Sequence, residues 1–163
     1  MNNEIDKSVF SDSMALNRNF IMYYKGRVAL YAFLDAMGIG KGDQVLMPAY
    51  TCVVVPNAVL YKGAQPVYVD IELDSFSVNP KLVEAALTPS VKAVLCQNTY
   101  GLSAHVDEVV ALCKERGIWS IEDCTHGFGV PTKVSPMART AMPPSIRVSG
   151  ISRFPRGLVG TPL

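Results

Sequence analysis

The chain has 163 residues, 49% of them apolar, and a formal net charge of +1. That is enough for one ordinary domain with a real core, and too little charge for a nucleic-acid or acidic-membrane partner. The near-neutral total hides a split. Residues 1–130 carry ten Lys/Arg and fourteen Asp/Glu; residues 131–163 carry five basic residues (Lys133, Arg139, Arg147, Arg153, Arg156), no acidic ones and six of the eleven prolines. The start, Met1-Asn2-Asn3-Glu4, lacks the charged and apolar regions of a secretory signal, and no apolar run approaches the roughly 20 residues of a membrane span. The four cysteines (Cys52, Cys96, Cys113, Cys124) show no C-x-x-C spacing, so buried reduced thiols and a cytoplasmic location are expected, without structural zinc.

In chain order, Val28, Leu30, Tyr31, Leu34 and Met37 recur at helical spacing over 27–38, and Gly38 and Gly40 close that helix. Gly40-Lys41-Gly42-Asp43 reads as a turn, and Gln44 to Met47 as a short buried strand stopped by Pro48. A second helix, capped by Thr51 or a near neighbour, runs to about Tyr61 with Pro56 early in it. Val67-Tyr68-Val69 is the next strand. The pattern then repeats, with a helix from Pro80 to Leu87, a strand at Ala93-Val94-Leu95, a helix from Val106 to Arg116 ended by Gly117, and a strand at Ile118 to Ile121. Short strands alternating with helices predict a three-layer αβα fold around a mostly parallel sheet, in which ligands gather beyond the carboxyl ends of strands. Asp123 and His126 fall at one such end and Asn98-Thr99-Tyr100-Gly101 at another. From 131 onward periodicity stops, and Pro143-Pro144 and Pro155 predict an irregular basic tail.

Three places carry candidate chemistry. Gly26-Arg27-Val28 opens a helix, where free N–H groups and the dipole favour an anion, although every helix has such an end. Gly38-x-Gly40-x-Gly42 follows a helix and precedes a strand, the reverse of a dinucleotide fingerprint, and is a turn. Asp123 ends an apolar strand, and a carboxylate there must be paired or solvated. A pyridinium N–H, a metal ion, a proton to be abstracted or a helix start would each serve as partner on spacing alone.

Six segments occur together and in order. They are Gly26 to Leu30, Gly38 to Val45, Pro48-Ala49-Tyr50-Thr51-Cys52, Asn57 to Ala64, Pro66-Val67-Tyr68-Val69-Asp70, and Glu122-Asp123-Cys124-Thr125-His126. As a set, over residues 20–130, they closely resemble the DegT–StrS family of sugar aminotransferases, pyridoxal-phosphate enzymes of fold type I. The resemblance implies the partial large domain of such an enzyme and amino transfer from a donor such as glutamate to a keto-sugar nucleotide. It implies a homodimer with shared sites. It implies phosphate contacts at Arg27 and Val28, Asp123 against the pyridine nitrogen and His126 near the phenolic oxygen. Cys52 stands where the family usually has an aromatic that stacks on the cofactor ring.

The family pattern breaks after His126. Its members continue with an Asp-Ala-Ala-Phe strand and a Ser, Gln, Trp, Lys series whose lysine takes the cofactor as a Schiff base, but here no lysine follows Lys133. Ser149 to Arg156 can be encoded by AGT GGA ATA AGC CGT TTT CCA CGG; read one base earlier after a C, these give Gln-Trp-Asn-Lys-Pro-Phe-Ser-Thr. The same shift lets Gly157 to Pro162 encode Gly-Leu-Gly-Gly-Tyr-Ala and Ala141 to Ser145 encode Asp-Ala-Ala-Phe, with a suitable choice of synonymous codons. A frame change between about 129 and 134 would account for the charge jump and the proline excess together. The expectation is therefore a truncated, frameshifted aminotransferase that is inactive in this form and binds its cofactor non-covalently at best. The alternative is a non-catalytic fragment that binds a phosphorylated ligand or a related full-length subunit.

Overall fold

The computed structural model describes residues 23–102, 105–126 and 145–148. In chain order these form α1 (Gly26–Ala36), β1 (Gln44–Pro48), α2 (Val54–Tyr61), β2 (Gln65–Val69), α3 (Pro80–Ala85), β3 (Val91–Gln97), a 3₁₀ turn (Thr99–Gly101), α4 (Val106–Arg116), β4 (Trp119–Asp123) and β5 (Ser145–Val148). The strands make one parallel sheet in the order β2-β1-β3-β4-β5. This is the expected α/β layering.

Alternation along the strands sends side chains to two cores. On one face Val45, Met47, Leu95 and Ile121 pack with Ala29, Leu30, Phe33 and Leu34 of α1 and with Val55 and Val59 of α2. On the other, Leu46, Val94 and Cys96 pack with Val83 of α3 and with Val106, Val109 and Cys113 of α4. Both faces are covered, so central strands read as apolar runs.

Local chemistry sets the ends. Asn79 caps α3, its Oδ1 accepting from the Lys81 N–H at 2.9 Å, with Pro80 at the first helical position. Gly117 ends α4 in the left-handed region at φ 67°, the conformation that favours glycine. At the Gly40–Asp43 turn, Gly40 N–H bonds Asp43 Oδ2 at 3.0 Å and Asp43 N–H bonds Gly40 O at 3.0 Å.

One expectation is narrowed and two are corrected. The N-cap of α2 is Val53, the near neighbour of Thr51, and it has no side-chain bond; the helix starts at Val54 and the Thr51 hydroxyl is used elsewhere. Cys52 is exposed, unlike the other three thiols. Within the basic tail, Ser145–Val148 is a strand paired in parallel with β4, so those four residues are not irregular. Its sequence, Ser-Ile-Arg-Val, holds two β-branched residues, which favour strands. The rest of the tail lies outside the described residues.

Candidate active site

In register, Pro48 pairs with Val69, Gln97 with Asp123, and Asp123 with Val148, so the carboxyl ends of the strands share one edge. At that edge Asp123 is the last residue of β4 and only 8% exposed. Its Oδ1 accepts from the Thr125 N–H at 2.9 Å and from the Thr125 hydroxyl at 2.5 Å. Burial pushes the Asp123 carboxyl above the usual carboxylate range; the two Thr125 bonds and nearby His126 oppose that rise, while Glu122 adds to it. Both Thr125 bonds fall on one oxygen, which leaves Oδ2 for another donor.

The neighbouring strand end is tied to this one. Asn98 N–H donates to the Asp123 carbonyl at 3.0 Å, and Asn98 Nδ2 donates to Glu122 Oε1 at 2.8 Å. Asn98 Oδ1 is buried and lacks a hydrogen-bond partner among the described residues. A second chain of bonds crosses from the loop after β1 to the loop after β2. The Thr51 hydroxyl donates to Gln97 Oε1 at 2.6 Å, Gln97 Nε2 to Thr99 Oγ1 at 2.9 Å, and the Thr99 hydroxyl to the Phe76 carbonyl at 3.2 Å.

Above this network lies an aromatic group. The hydroxyls of Tyr50 and Tyr100 are 2.7 Å apart. The Phe76 ring meets Tyr100 edge-on at 5.4 Å between centroids, and Tyr100 lies nearly parallel to the His126 ring at 5.9 Å and 14°. Asp123 and His126 lie at the same strand end, close enough for His126 to act on the Asp123 carboxyl.

Arg27 and Val28 stand apart from this bonded group, both exposed at the start of α1. Residues 37–43 lead from α1 to the start of β1, and α1 packs on the sheet face formed by Val45, Met47, Leu95 and Ile121. Lys25 caps it with no side-chain bond, and its carbonyl accepts from the Val28 N–H at 3.0 Å and the Ala29 N–H at 3.1 Å, so the N–H groups of Gly26 and Arg27 are the ones left for an anion. Cys52, exposed in the loop after β1, brings no ring. Sequence reasoning placed Asn98-Thr99-Tyr100-Gly101 at a ligand-side strand end without giving Tyr100 a role, and gave no role to Thr125, Gln97, Tyr50 or Phe76.

A buried acid and a histidine at the carboxyl edge of a parallel αβα sheet define a class, and solved structures of that class resemble this chain. S. venezuelae DesV matches with a TM-score of 0.72 and 28% identity, covering 87% of this chain and 37% of that one. Bacillus subtilis NtdA, solved with the cofactor PMP bound, matches with a TM-score of 0.71 and 32% identity, covering 77% of this chain and 28% of that one. The chain belongs to the DegT/DnrJ/EryC1/StrS aminotransferase family, whose model matches residues 10–139. Among its relatives, the UDP-2-acetamido-2-deoxy-3-oxo-D-glucuronate aminotransferase of Pseudomonas aeruginosa is 40% identical over 108 residues, 66% of this chain and 30% of that protein. The chain spans only 20–30% of the length of the relatives it matches.

Proposed function

We propose that this chain carries the cofactor-holding part of a pyridoxal-phosphate-dependent sugar aminotransferase, which as a whole moves an amino group from an amino-acid donor to a keto-sugar nucleotide. The observation that carries the reading is Asp123. Its carboxylate is buried, its Oδ1 is occupied by Thr125, and its Oδ2 is left for one more donor. A protonated ring nitrogen suits that oxygen, because a fixed cation relieves the burial that disfavours the ionised acid. When bound, the cofactor supplies the electron sink that amino transfer needs.

This chain's residues divide the remaining work. Asp123 keeps a proton on the ring nitrogen, and Thr125 fixes the carboxylate for that bond. His126 serves the phenolic oxygen. The start of α1 around Arg27 and Val28 receives the phosphate, through the N–H groups of Gly26 and Arg27, which precede the bonded N–H of Val28, and through the Arg27 side chain. A homodimer with shared sites and a cytoplasmic location are part of the same proposal, resting on the family.

The residues after about 129–134 are, in this proposal, a shifted frame that hides the cofactor's lysine. A chain of this sequence then holds the cofactor without a covalent bond and does not turn over.

Two experiments test the two parts. Resequencing the coding DNA from the Glu122 codon to beyond that of Leu163 tests the frame; one corrected base that restores Gln-Trp-Asn-Lys supports it, and a shifted frame without that lysine removes it. Equilibrium dialysis of pyridoxamine 5′-phosphate against the chain and its Asp123→Asn variant tests the site. Saturable binding that weakens at least tenfold in the variant is expected, and equal binding by both overturns the role of Asp123.

A further inference from the structure

Tyr100 is held from every side and yet left in the open. Its hydroxyl meets that of Tyr50 at 2.7 Å, Phe76 presses edge-on at 5.4 Å, and His126 lies parallel at 5.9 Å. Even so, the residue is 63% exposed. The backbone is strained to keep it there. Tyr100 has φ 56° and Phe76 φ 53°, two of the three non-glycine residues in the left-handed region among the described residues. For a bulky side chain that conformation is costly, and it persists where the surroundings enforce it.

Fold stability does not account for this arrangement. A strained ring earns its place in a core by burial, and this one is mostly in water. What the arrangement provides is a rigid aromatic face at the carboxyl edge. It follows the strand end that is tied to Asp123, since the backbone N–H of Asn98, two residues before Tyr100, donates to the Asp123 main-chain carbonyl at 3.0 Å. The rings of Tyr100 and His126 together make a stepped surface beside the buried acid. Offset-parallel packing at 4.5–7 Å is how aromatic rings attract one another. A flat, protonated heteroaromatic ligand that pairs with Asp123 would find its stacking partner there, and Cys52 offers none.

We propose that Tyr100, braced by Tyr50 and Phe76, is the aromatic residue that stacks on the cofactor ring in this chain. The inference rests on the cofactor reading of the preceding section. Phe76 is the positioning residue, acting through its edge contact with the Tyr100 ring, and the Tyr50 hydroxyl bond adds to that support without being required for stacking.

The test is binding of pyridoxamine 5′-phosphate to the full chain, which requires no turnover. Tyr100→Phe keeps the ring and the edge contact with Phe76 but loses the Tyr50 bond. Tyr100→Asn removes the ring while accepting left-handed backbone, which Asn tolerates better than most residues. Each variant is first checked for an unchanged far-ultraviolet spectrum and melting profile. Dissociation constants come from dialysis, and proton NMR reads the ring-current shift of the ligand's methyl group and of the His126 imidazole. With two histidines in the chain, the imidazole signals are readily assigned.

Tyr100→Phe is expected to bind within about threefold of the parent and to keep the upfield shift. Tyr100→Asn is expected to bind about three- to tenfold more weakly, as for the loss of one aromatic pair, and to lose that shift. Binding by Tyr100→Asn equal to the parent, with the methyl shift retained, overturns the role of Tyr100 and leaves the cofactor reading standing. No saturable binding by the parent chain overturns both. An Asn variant that folds and weakens binding, but leaves the methyl shift unchanged, also overturns stacking.

Discussion

Asp123 keeps a carboxylate where water cannot reach it well, and the consequence can be read in pH. Burial holds its folded-state pKa above the ordinary value of about 3.9. Between that value and the raised one, the folded chain binds more protons than the unfolded chain, so stability falls as pH rises through this window and stays lowered above it. Asp123→Asn removes the charge, while its amide oxygen can still accept from Thr125. At pH 7 the variant should melt about 2–4 °C above the parent, corresponding to ~1 kcal/mol in a chain of this size, and the gap should close near pH 4. Differential scanning calorimetry at the two pH values checks this, and a variant that melts lower at pH 7 would contradict it. Thr51 gives a second residue-scale outcome. Thr51→Val leaves Gln97 Oε1, on a residue only 6% exposed, without its 2.6 Å donor. That should cost about 1–2 kcal/mol in urea denaturation, with Thr51→Ser close to the parent. Asp123 and His126 were legible in the sequence because an acid after an apolar run, with a histidine three on, stands out in one dimension. Thr51–Gln97 and Tyr50–Tyr100 were not, since each pair spans 46 or 50 positions and only the sheet brings it together.

Among the elements, the loop between β2 and α3 depends on one histidine. His105, at the start of α4 with φ 59°, meets Glu72 Oε2 through Nε2 at 2.8 Å and Glu108 Oε1 through Nδ1 at 3.0 Å. A neutral imidazole has a single N–H and can satisfy one of these; the imidazolium donates to both. The Glu108 bond, then that of Glu72, raises the His105 pKa, with partial burial opposing them. A base with a raised folded-state pKa stabilises fully below the ordinary imidazole value of about 6.5, and that contribution is lost as pH rises through the raised value. Glu72 also accepts from Asn79 Nδ2 at 2.7 Å, and the loop is closed by the Ile71–Val78 bridge. Amide exchange in residues 71–78 should therefore accelerate across that pH window more than exchange chemistry alone requires, and His105→Gln should flatten the response. An NMR titration that finds His105 at or below the ordinary value would end the argument. The elements themselves were largely readable. The bounds of α4 were read correctly, because an apolar periodicity and a terminal glycine mark both ends. The strands β3 and β4 were read short, because Gln97, Glu122 and Asp123 are polar residues buried only by their neighbours across the sheet. The strand at Ser145–Val148 was missed altogether, being four residues among prolines.

At the scale of the molecule, the sheet stands between two helical layers, and its outer surface still carries apolar groups. Tyr24, Leu60, Tyr61 and Tyr68 are each more than half exposed. The edge strand β2 limits its own pairing with Pro66, which has no N–H to donate. The αβα class was legible because strand and helix periodicities alternate along most of the described chain, whereas the order β2-β1-β3-β4-β5 required the pairing itself. The largest consequence of the proposal concerns lysine. The chain's lysines all lie at or before Lys133, and Lys62 is already paired with Asp35. If the anchoring lysine lies hidden in the shifted frame, pyridoxal phosphate followed by borohydride should label this chain only weakly and across several surface lysines, while a gene corrected to read Gln-Trp-Asn-Lys should give a product labelled at that one lysine in near-stoichiometric amount. Peptide mapping by mass spectrometry distinguishes the two patterns. Near-stoichiometric labelling of a single lysine among residues 1–133, suppressed by Asp123→Asn, would mean that the chain anchors its cofactor as it stands, and the frame proposal would lose its purpose.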